Sequence, residues 1–362
     1  MKISNTRLNS LQAYRGIAAV MVVLFHMTVF AHEHFNVDLL GKSFSFGYVG
    51  VDFFFVLSGF IIYFVNRKVM GVSQAVQPYL LKRFLRVYPI YWLITTAKIV
   101  VLFTLPSFAK PYETNVGQIL RSYVLFPQPT DLPIIGAAWT LSYEVMFYLI
   151  FGLAIVLGLW WFRRIFAIWG ISILAFQIIR LVAGTGFQSN YLLDFILNER
   201  NFEFMLGCLS AYLILNHQIP YRAWILAMGV IVFTLSAVYV DNNGVVPSYT
   251  LFFGIASFLI VTASAGIESQ RPFKLPRSLI FLGDASYSVY LTHALFINIF
   301  ALILTRLDLV TRFGPTLPLI LMAVFAIIGG CLVYGLVEKP LLSIMNKWVK
   351  TRKVVVEQVA SA

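Results

Sequence analysis

Charged side chains are scarce in this sequence, and acidic ones are the scarcest. Only 12% of the 362 residues are charged, with 15 Asp and Glu against 27 Lys and Arg, whereas 60% are hydrophobic. The mean hydropathy is +0.84. Because soluble domains carry about 25% charged residues, this composition excludes an ordinary soluble domain and predicts an integral membrane protein.

Cysteine is nearly absent as well. Cys208 and Cys331 both lie in apolar runs, which excludes a disulfide framework and a cysteine metal cluster. The sequence also lacks metal-ligand spacings and a glycine-rich nucleotide loop. His32 and His34 lie close to acidic residues and could bind a metal, but we interpret them as solvated loop residues. The sequence therefore predicts no metal and no permanently bound cofactor.

Apolar runs of membrane-spanning length fill the chain. We predict ten spans, at 11–31, 46–65, 84–105, 139–161, 165–182, 202–216, 223–240, 249–266, 279–304 and 316–336. With the N-terminus in the cytoplasm, the cytoplasmic loops carry most of the Lys and Arg residues, which explains the net charge of +12 without nucleic acid. We therefore expect an all-α membrane domain over 1–345, a bundle of about ten transmembrane helices with both termini cytoplasmic, and a basic cytoplasmic tail over 346–362.

The first span carries an arginine near one end and a histidine near the other. Arg15 and His26 are eleven residues apart, close to three helical turns, so they share one face and lie about 16 Å apart along the axis. An ionisable group inside a span costs free energy unless it faces a partner or a watery cavity. The spacing favours a site that runs through the membrane. Alternatively, Arg15 snorkels to the surface and His26 hydrogen-bonds a neighbouring helix.

Two acidic residues also enter predicted spans. Asp52 lies early in the second span, at the depth expected for His26, where a carboxylate would fix the imidazole tautomer and raise its basicity. Alternatively, Asp52 caps the helix. Glu144 follows Trp139 and Ser142, which share a helical face in the fourth span. An unpaired carboxylate at that depth protonates or attracts a cation, whereas Trp139 could belong to an interfacial aromatic belt.

Two polar helical faces complete the set. Arg83 and Arg86 are three residues apart at the cytoplasmic mouth of the third span. Two guanidinium groups on one face suit the phosphates of a cytosolic anion, although positive-inside charge alone would also explain them. Ser286, Tyr290 and His293 form a stripe on the ninth span, which either lines a site or joins helices.

Taken together, these motifs resemble the membrane-bound acyltransferase family 3, whose members O-acylate cell-surface polysaccharides and related glycans. The resemblance covers about 8–342 and rests on six motifs in one order: Arg15 with His26, VGVDFFFVLSGF, Arg83 with Arg86, WTLSYE, SYSVYLTH, and VEKP. We interpret VEKP as the cytoplasmic end of the last span. The sequence most resembles the short members, which lack an extracytoplasmic hydrolase-like domain and acetylate exopolysaccharide or O-antigen units.

The resemblance implies acetyl-CoA as a cytoplasmic co-substrate and a hydroxyl of a glycan or lipid-linked saccharide as the acceptor. It implies that His26 is a general base or an acyl carrier, two roles that the sequence does not separate. The implied catalytic residues are His26, Arg15, Asp52 and Glu144; the implied donor-binding residues are Arg83 and Arg86; acceptor-side or structural roles fall to Trp139, Ser142, Tyr290 and His293.

We expect the protein in the bacterial cytoplasmic (inner) membrane, in contact with lipids and with polysaccharide-assembly proteins as candidate partners. The rival function is a transporter or translocase of lipid-linked glycans, in which the same buried charges would line a substrate path. Such a protein would more often show paired halves and spans broken by Gly or Pro, and the sequence shows neither. A non-catalytic scaffold would leave the buried charges unexplained.

Overall fold

The computed structural model describes residues 8–37, 44–106, 109–184, 187, 189–243 and 249–347. Within these ranges the chain is helical and contains no strand, which confirms the prediction of an all-α membrane protein. The predicted cytoplasmic tail lies outside the described residues from position 348 onward.

Thirteen α-helices follow one another in the described ranges, joined in places by short 3-10 turns. They are α1 (Asn9–Phe35), α2 (Gly50–Asn66), α3 (Val76–Thr104), α4 (Val116–Tyr123), α5 (Trp139–Leu157), α6 (Leu159–Ala183), α7 (Tyr191–Ile196), α8 (Asn201–Asn216), α9 (Arg222–Asn243), α10 (Tyr249–Glu268), α11 (Arg277–Arg306), α12 (Leu309–Phe313) and α13 (Thr316–Val333). Helix α13 continues through a π-helical turn, Tyr334–Glu338, and then in α-helical form to position 347.

Nine helical segments in the described ranges are long and apolar enough to cross a membrane, and α8 is the predicted span that is not among them. Its 16 residues extend about 24 Å, less than the roughly 30 Å of a hydrocarbon core. Even so, α8 runs between the same two ends of the bundle as α10. Arg200, before α8, donates to the Tyr249 hydroxyl at 2.5 Å, and Arg222, after it, donates to the Gly266 carbonyl at 2.8 Å. The short helix therefore runs between both ends of the bundle.

Helix α2 is the most buried of the nine spans, and glycines let α8 pack directly on its backbone. A Cβ atom on Gly59 would lie 2.1 Å from the Phe204 carbonyl oxygen, and one on Gly207 would lie 2.1 Å from the Val56 carbonyl oxygen. Small residues permit such close approach between membrane helices. The contact places the first residues of α8 beside the first residues of α2.

A second close contact joins α1 to α11. A Cβ atom on Gly283 would lie 2.0 Å from the Gln12 carbonyl oxygen, so the two backbones touch where both helices begin. This contact sets the Arg15 face of α1 against Ser286 and Tyr290 of α11, and all three residues line one cavity.

The two ends of the bundle differ in chemistry. We call the end near Arg15, Arg83 and Arg86 the basic end, and the end near His26 and His293 the histidine end. Helix α1 begins at the basic end, and Glu338 in the last helix has Arg15 and Arg86 as charged neighbours. Both ends of the described chain therefore lie on one side of the bundle. That this side faces the cytoplasm remains a prediction.

Several predicted boundaries differ from the helix ends, and two of the differences have an identifiable cause. The fourth span ends at Leu157 and not at 161, because Gly158 adopts a φ of +88° between α5 and α6. VEKP is not the end of the last helix. Glu338 is 1% exposed and accepts a hydrogen bond from the Ser288 hydroxyl at 2.5 Å. The π-helical turn carries this acid into the bundle, a local distortion often found at functional sites.

Candidate active site

The largest set of predicted site residues surrounds a cavity of about 290 Å³ near the basic end. Helices α1, α2, α3, α5 and α11 enclose it. Its charged lining residues are Arg15, Arg83, Arg86 and Glu144, so the structure brings together four residues that the sequence places on three helices. Three guanidinium groups against one carboxylate suit an anionic ligand. We call this space the basic cavity.

Tyrosine rings and hydroxyl groups hold the charges on α3 and α5. The Arg83 guanidinium carbon lies 5.6 Å from the ring centroids of both Tyr79 and Tyr148, within the range of cation–π attraction. Glu144 accepts hydrogen bonds from the Tyr148 hydroxyl and, at 3.2 Å, from the Ser58 hydroxyl. Glu144 is therefore a hydrogen-bonded acid that fixes the ring beneath Arg83, and not an isolated carboxylate.

Arg15 lines the basic cavity and does not snorkel to the membrane surface. Its charged neighbours are Arg86, Glu144 and Glu338. Glu338 compensates for the repulsion between the two arginines, and its own position is fixed by Ser288. The sequence analysis missed this role of Glu338. The sequence did contain a signal for this role, because Glu338 is an acid at the end of an apolar run. It lies in the VEKP motif, which was interpreted only as a helix end.

A smaller cavity of about 110 Å³ lies at the histidine end. His26, Asp52, Trp139 and Arg200 are among its lining residues, and we call it the histidine cavity. His26 is exposed, so a ligand that enters this space could reach the imidazole. Arg15 and His26, which the spacing places on one face of α1, thus line two different cavities and not one continuous site.

Val51 and Tyr290 line both cavities and form the wall between them. The Tyr290 hydroxyl donates to the Ala137 carbonyl at 3.0 Å and lies 2.9 Å from the Thr140 hydroxyl. These bonds hold the ring in place across the bundle. These side chains therefore separate the basic cavity from the histidine cavity.

His293 packs behind His26. The two ring centroids are 4.8 Å apart, and His293 is fully buried. Its Nδ1 lies 2.5 Å from the Tyr290 carbonyl oxygen. Because a carbonyl only accepts, Nδ1 carries the proton, and Nε2 is left without a partner among the described residues. The stripe on α11 thus does more than join helices, since it supplies both the wall and the neighbour of His26.

Asp52 lines the same cavity as His26, but no hydrogen bond joins them. Asp52 is 1% exposed, and its carboxylate interacts with Glu203 of α8 and not with His26. Its charged neighbours are Arg200 and Glu203, which the packing of α8 on α2 brings to this side. No direct contact between the two side chains therefore supports the prediction that Asp52 orients the His26 imidazole. His26 and Asp52 lie at the same depth, as predicted, but they do not form the predicted pair.

Arg200 is a site residue that the sequence analysis missed. Its guanidinium carbon lies 5.1 Å from the Trp139 ring centroid, and it donates to the Tyr249 hydroxyl. Trp139 is thereby held at the histidine cavity, so an interfacial aromatic belt alone does not explain its position. Ser142, predicted beside Trp139, lines a separate cavity under the 127–133 segment and is not brought to His26.

Comparisons with known proteins identify the family of this chain. The profile of an acyltransferase domain, acyltransferase family 3, matches residues 8–335. The exopolysaccharide production protein ExoZ of Rhizobium meliloti (strain 1021) is 27% identical over 314 residues, which cover 83% of this chain and 92% of that protein. The acyltransferase MdmB of Streptomyces mycarofaciens is 25% identical over 375 residues, with 94% and 93% covered.

A putative acetyltransferase, ORF330 of Acidianus two-tailed virus, is 23% identical over 313 residues, covering 84% of this chain and 88% of that protein. No solved structure matches the chain. Since the family profile spans nearly the whole sequence, the chain belongs to acyltransferase family 3. It is a multi-pass membrane acyltransferase, and the predicted resemblance is confirmed.

Proposed function

We propose that this protein is an O-acetyltransferase that moves an acetyl group from cytoplasmic acetyl-CoA to a hydroxyl of a cell-surface glycan. The observation that carries the proposal is the pair of cavities on opposite sides of Tyr290. One is lined by arginines suited to a phosphorylated donor, and the other by an accessible imidazole suited to a hydroxyl. A relative named for exopolysaccharide production supports a glycan acceptor.

The basic cavity is the proposed donor site. Its volume of about 290 Å³ lies near the lower limit for small-molecule sites, so it accommodates the acyl-pantetheine arm and leaves the nucleotide at the mouth. Arg83 and Arg86 would bind the phosphates through charged hydrogen bonds. Arg15 also lines this cavity, about 16 Å from His26 along α1, so its guanidinium would steer the anionic donor toward the wall at Tyr290.

His26 is the proposed residue that activates the acceptor. As a general base, its free ring nitrogen takes the proton of the acceptor hydroxyl while that oxygen attacks the thioester carbonyl. The C–S bond breaks, and the CoA thiolate recovers the proton from the imidazolium. As an acyl carrier, the same nitrogen attacks the thioester first, the C–S bond breaks, and CoA leaves as the thiolate. The acceptor hydroxyl oxygen then attacks the acetyl-imidazolium, the C–N bond breaks, and the hydroxyl proton passes to the CoA thiolate. Both routes end in an acetyl ester and free CoA.

The proposed site in the cell is the bacterial cytoplasmic membrane, with the basic end inside. Lys and Arg residues are concentrated in the loops of that end, as the positive-inside rule expects. The donor would then be reached from the cytoplasm, and the acceptor glycan, or its lipid-linked unit, would meet the histidine end.

Deletion of the gene tests this function against the translocase alternative. We expect surface glycan in normal amount and length but without its O-acetyl groups, as measured by NMR of purified polysaccharide before and after mild alkali. Expression of the intact gene should restore the acetyl signals. A deletion strain that exports less glycan, with acetylation per sugar unchanged, would contradict an acyltransferase role and favour translocation.

A further inference from the structure

A third cavity, of about 350 Å³, lies at the histidine end under the 127–133 segment, and we call it the outer cavity. The side chains that line it are of two kinds. Trp139, Tyr143 and Tyr191 are aromatic, and Gln128, Asp194 and other acids and amides supply hydrogen-bonding groups. None of its lining residues is Lys or Arg. Neither the proposed donor site nor the proposed mechanism uses this space.

The segment above the outer cavity is held by specific hydrogen bonds. The Gln118 side-chain amide donates to the Leu132 carbonyl at 2.6 Å, and the Ile134 backbone N–H donates to the Ser122 hydroxyl at 3.0 Å. Lys98 donates to the Ile134 carbonyl at 2.6 Å. Because ligand sites are usually preformed, a cavity under a segment fixed in this way is a credible binding site.

Several polar groups around the outer cavity lack partners. Both amide atoms of Gln128 are buried without a hydrogen bond in the described structure, as is the Oδ1 atom of Asp194, whose side chain as a whole is 37% exposed. Arg180 lies 3.8 Å from that Oδ1 atom, beyond hydrogen-bond distance. Leaving such groups unpaired is costly. A sugar hydroxyl donates and accepts, so it would satisfy both the amide and the carboxylate.

We propose that the outer cavity binds an uncharged sugar unit of the acceptor and thereby selects the glycan. Aromatic rings would pack against the apolar face of the sugar, while Gln128 and Asp194 would bind its hydroxyls. The lining carries acids and no Lys or Arg, and Arg180, 3.8 Å from Asp194, lies outside it, which disfavours a phosphate or a uronate here. Trp139 lines both the outer cavity and the histidine cavity, so the bound sugar lies next to the one presented to His26. This assignment rests on the proposed function and specifies the chemical class of the acceptor, an uncharged sugar.

The test uses the full chain in lipid nanodiscs with oligosaccharides prepared from the host's own surface glycan and stripped of O-acyl groups by mild alkali. Equilibrium dialysis measures oligosaccharide binding, and initial rates give separate KM values for oligosaccharide and acetyl-CoA. The variants are Gln128→Leu, which keeps the volume of the side chain, and Asp194→Asn. Asp308→Asn is the matched control, because Asp308 is an exposed acid on the connection after α11.

Each variant should raise the oligosaccharide KM and Kd about tenfold or more, the loss of one well-placed hydrogen bond to a ligand. The acetyl-CoA KM should stay within twofold of wild type. Binding should not change between 50 and 500 mM NaCl, since an uncharged ligand is not screened. Unchanged oligosaccharide Kd in Gln128→Leu overturns the assignment, and Gln128→Leu decides the test if Asp194→Asn accumulates poorly. Binding that falls steeply with salt overturns the uncharged class.

The two proposals fail in different ways. If the wild type binds the oligosaccharide and Gln128→Leu weakens that binding, but no acetyl group is transferred, the outer cavity stands and the proposed function falls. If the wild type transfers acetyl groups with unchanged acceptor KM in both variants, the function stands and the cavity assignment falls. No binding by the wild type overturns the cavity assignment.

Discussion

Arg83 and Arg86 share a face of α3 but have different surroundings. Tyrosine rings flank Arg83, whereas Arg86 is a charged neighbour of Arg15 and Glu338. Both side chains line the basic cavity. Positive-inside charge alone would not require two arginines to converge on one interior space, so the geometry favours the phosphate-binding interpretation of this pair.

Replacing both arginines should weaken the donor complex. We expect Arg83→Gln/Arg86→Gln to raise the Kd of acetyl-CoA at least 10- to 100-fold, because one charged hydrogen bond alone contributes about 1.5–3 kcal/mol. Lys82→Gln is the control, since Lys82 is an exposed neighbour on the same helix outside the cavity. Calorimetric titration of purified protein measures both. Equal affinity in the double variant and the control would remove the pair from the donor site.

The residues of the site differ in how far the sequence could predict them. Arg15 and His26 lie on one helix, so their common face follows from spacing alone. Arg200 and Glu338 could not be placed in this way. Arg200 reaches the site because α8 packs on α2, and Glu338 because a π-helical turn moves it inward. Contacts between distant segments decide both positions, and local periodicity does not report them.

At the scale of elements, glycine contacts determine how the helices meet. The backbones of α2 and α8 touch at Gly59 and Gly207, and the α2–α8 contact brings Glu203 beside Asp52. Helix existence was predictable from apolar runs. The pairing of α2 with α8 was not predictable, because a small residue inside an apolar segment does not indicate which helix packs on it.

A methyl group at this contact should destabilise the bundle. We expect Gly207→Ala to lower the free energy of unfolding by about 1–3 kcal/mol, the usual cost of overpacking a close contact. Gly335→Ala is the matched control, because a Cβ atom at Gly335 would meet no other atom within 4 Å. Thermal unfolding in one detergent compares the variants. Equal melting temperatures would mean that α2 and α8 do not pack backbone to backbone.

At the scale of the whole molecule, the account requires the two ends of the bundle to face different compartments. The loop between α2 and α3 lies at the basic end, where the Gly71 backbone N–H donates to the Ile155 carbonyl near the end of α5. The helix α4 lies toward the other end of α3, since the Tyr123 hydroxyl lies 2.7 Å from the Thr96 hydroxyl and Lys98 donates to Glu113, just before α4, at 2.7 Å. The ends are thus defined by the fold, whereas their orientation in the membrane is not.

Cysteine labelling in intact cells tests the orientation. Ser73→Cys should label only after the membrane is permeabilised, and Val116→Cys should label from outside, because positive-inside charge puts the basic end in the cytoplasm. Both positions are exposed, Val116 by 69%. Cys331→Ser removes the partly exposed native thiol, and the buried Cys208 is kept. Labelling of Ser73→Cys from outside would contradict a cytoplasmic donor site.

The most direct test of the account is the loss of His26. The central claim is that His26, in the cavity on the other side of Tyr290 from the arginines, carries out acyl transfer. His26→Ala should reduce acetyl transfer by about 100-fold or more, the contribution of a general base, while acetyl-CoA affinity stays near wild type. Asp52→Asn should reduce the rate less, since Asp52 makes no hydrogen bond to the imidazole.

The measurement is acetyl transfer from acetyl-CoA to deacylated host glycan by membranes with matched protein levels. His34→Ala is the control, because His34 is an exposed histidine further along α1. His26→Gln, which keeps a hydrogen-bonding group but cannot accept a proton or an acyl group in the same way, separates chemistry from packing. The account predicts that both His26 variants lose transfer and that the control keeps it. Near-normal transfer by both His26→Ala and His26→Gln would contradict it.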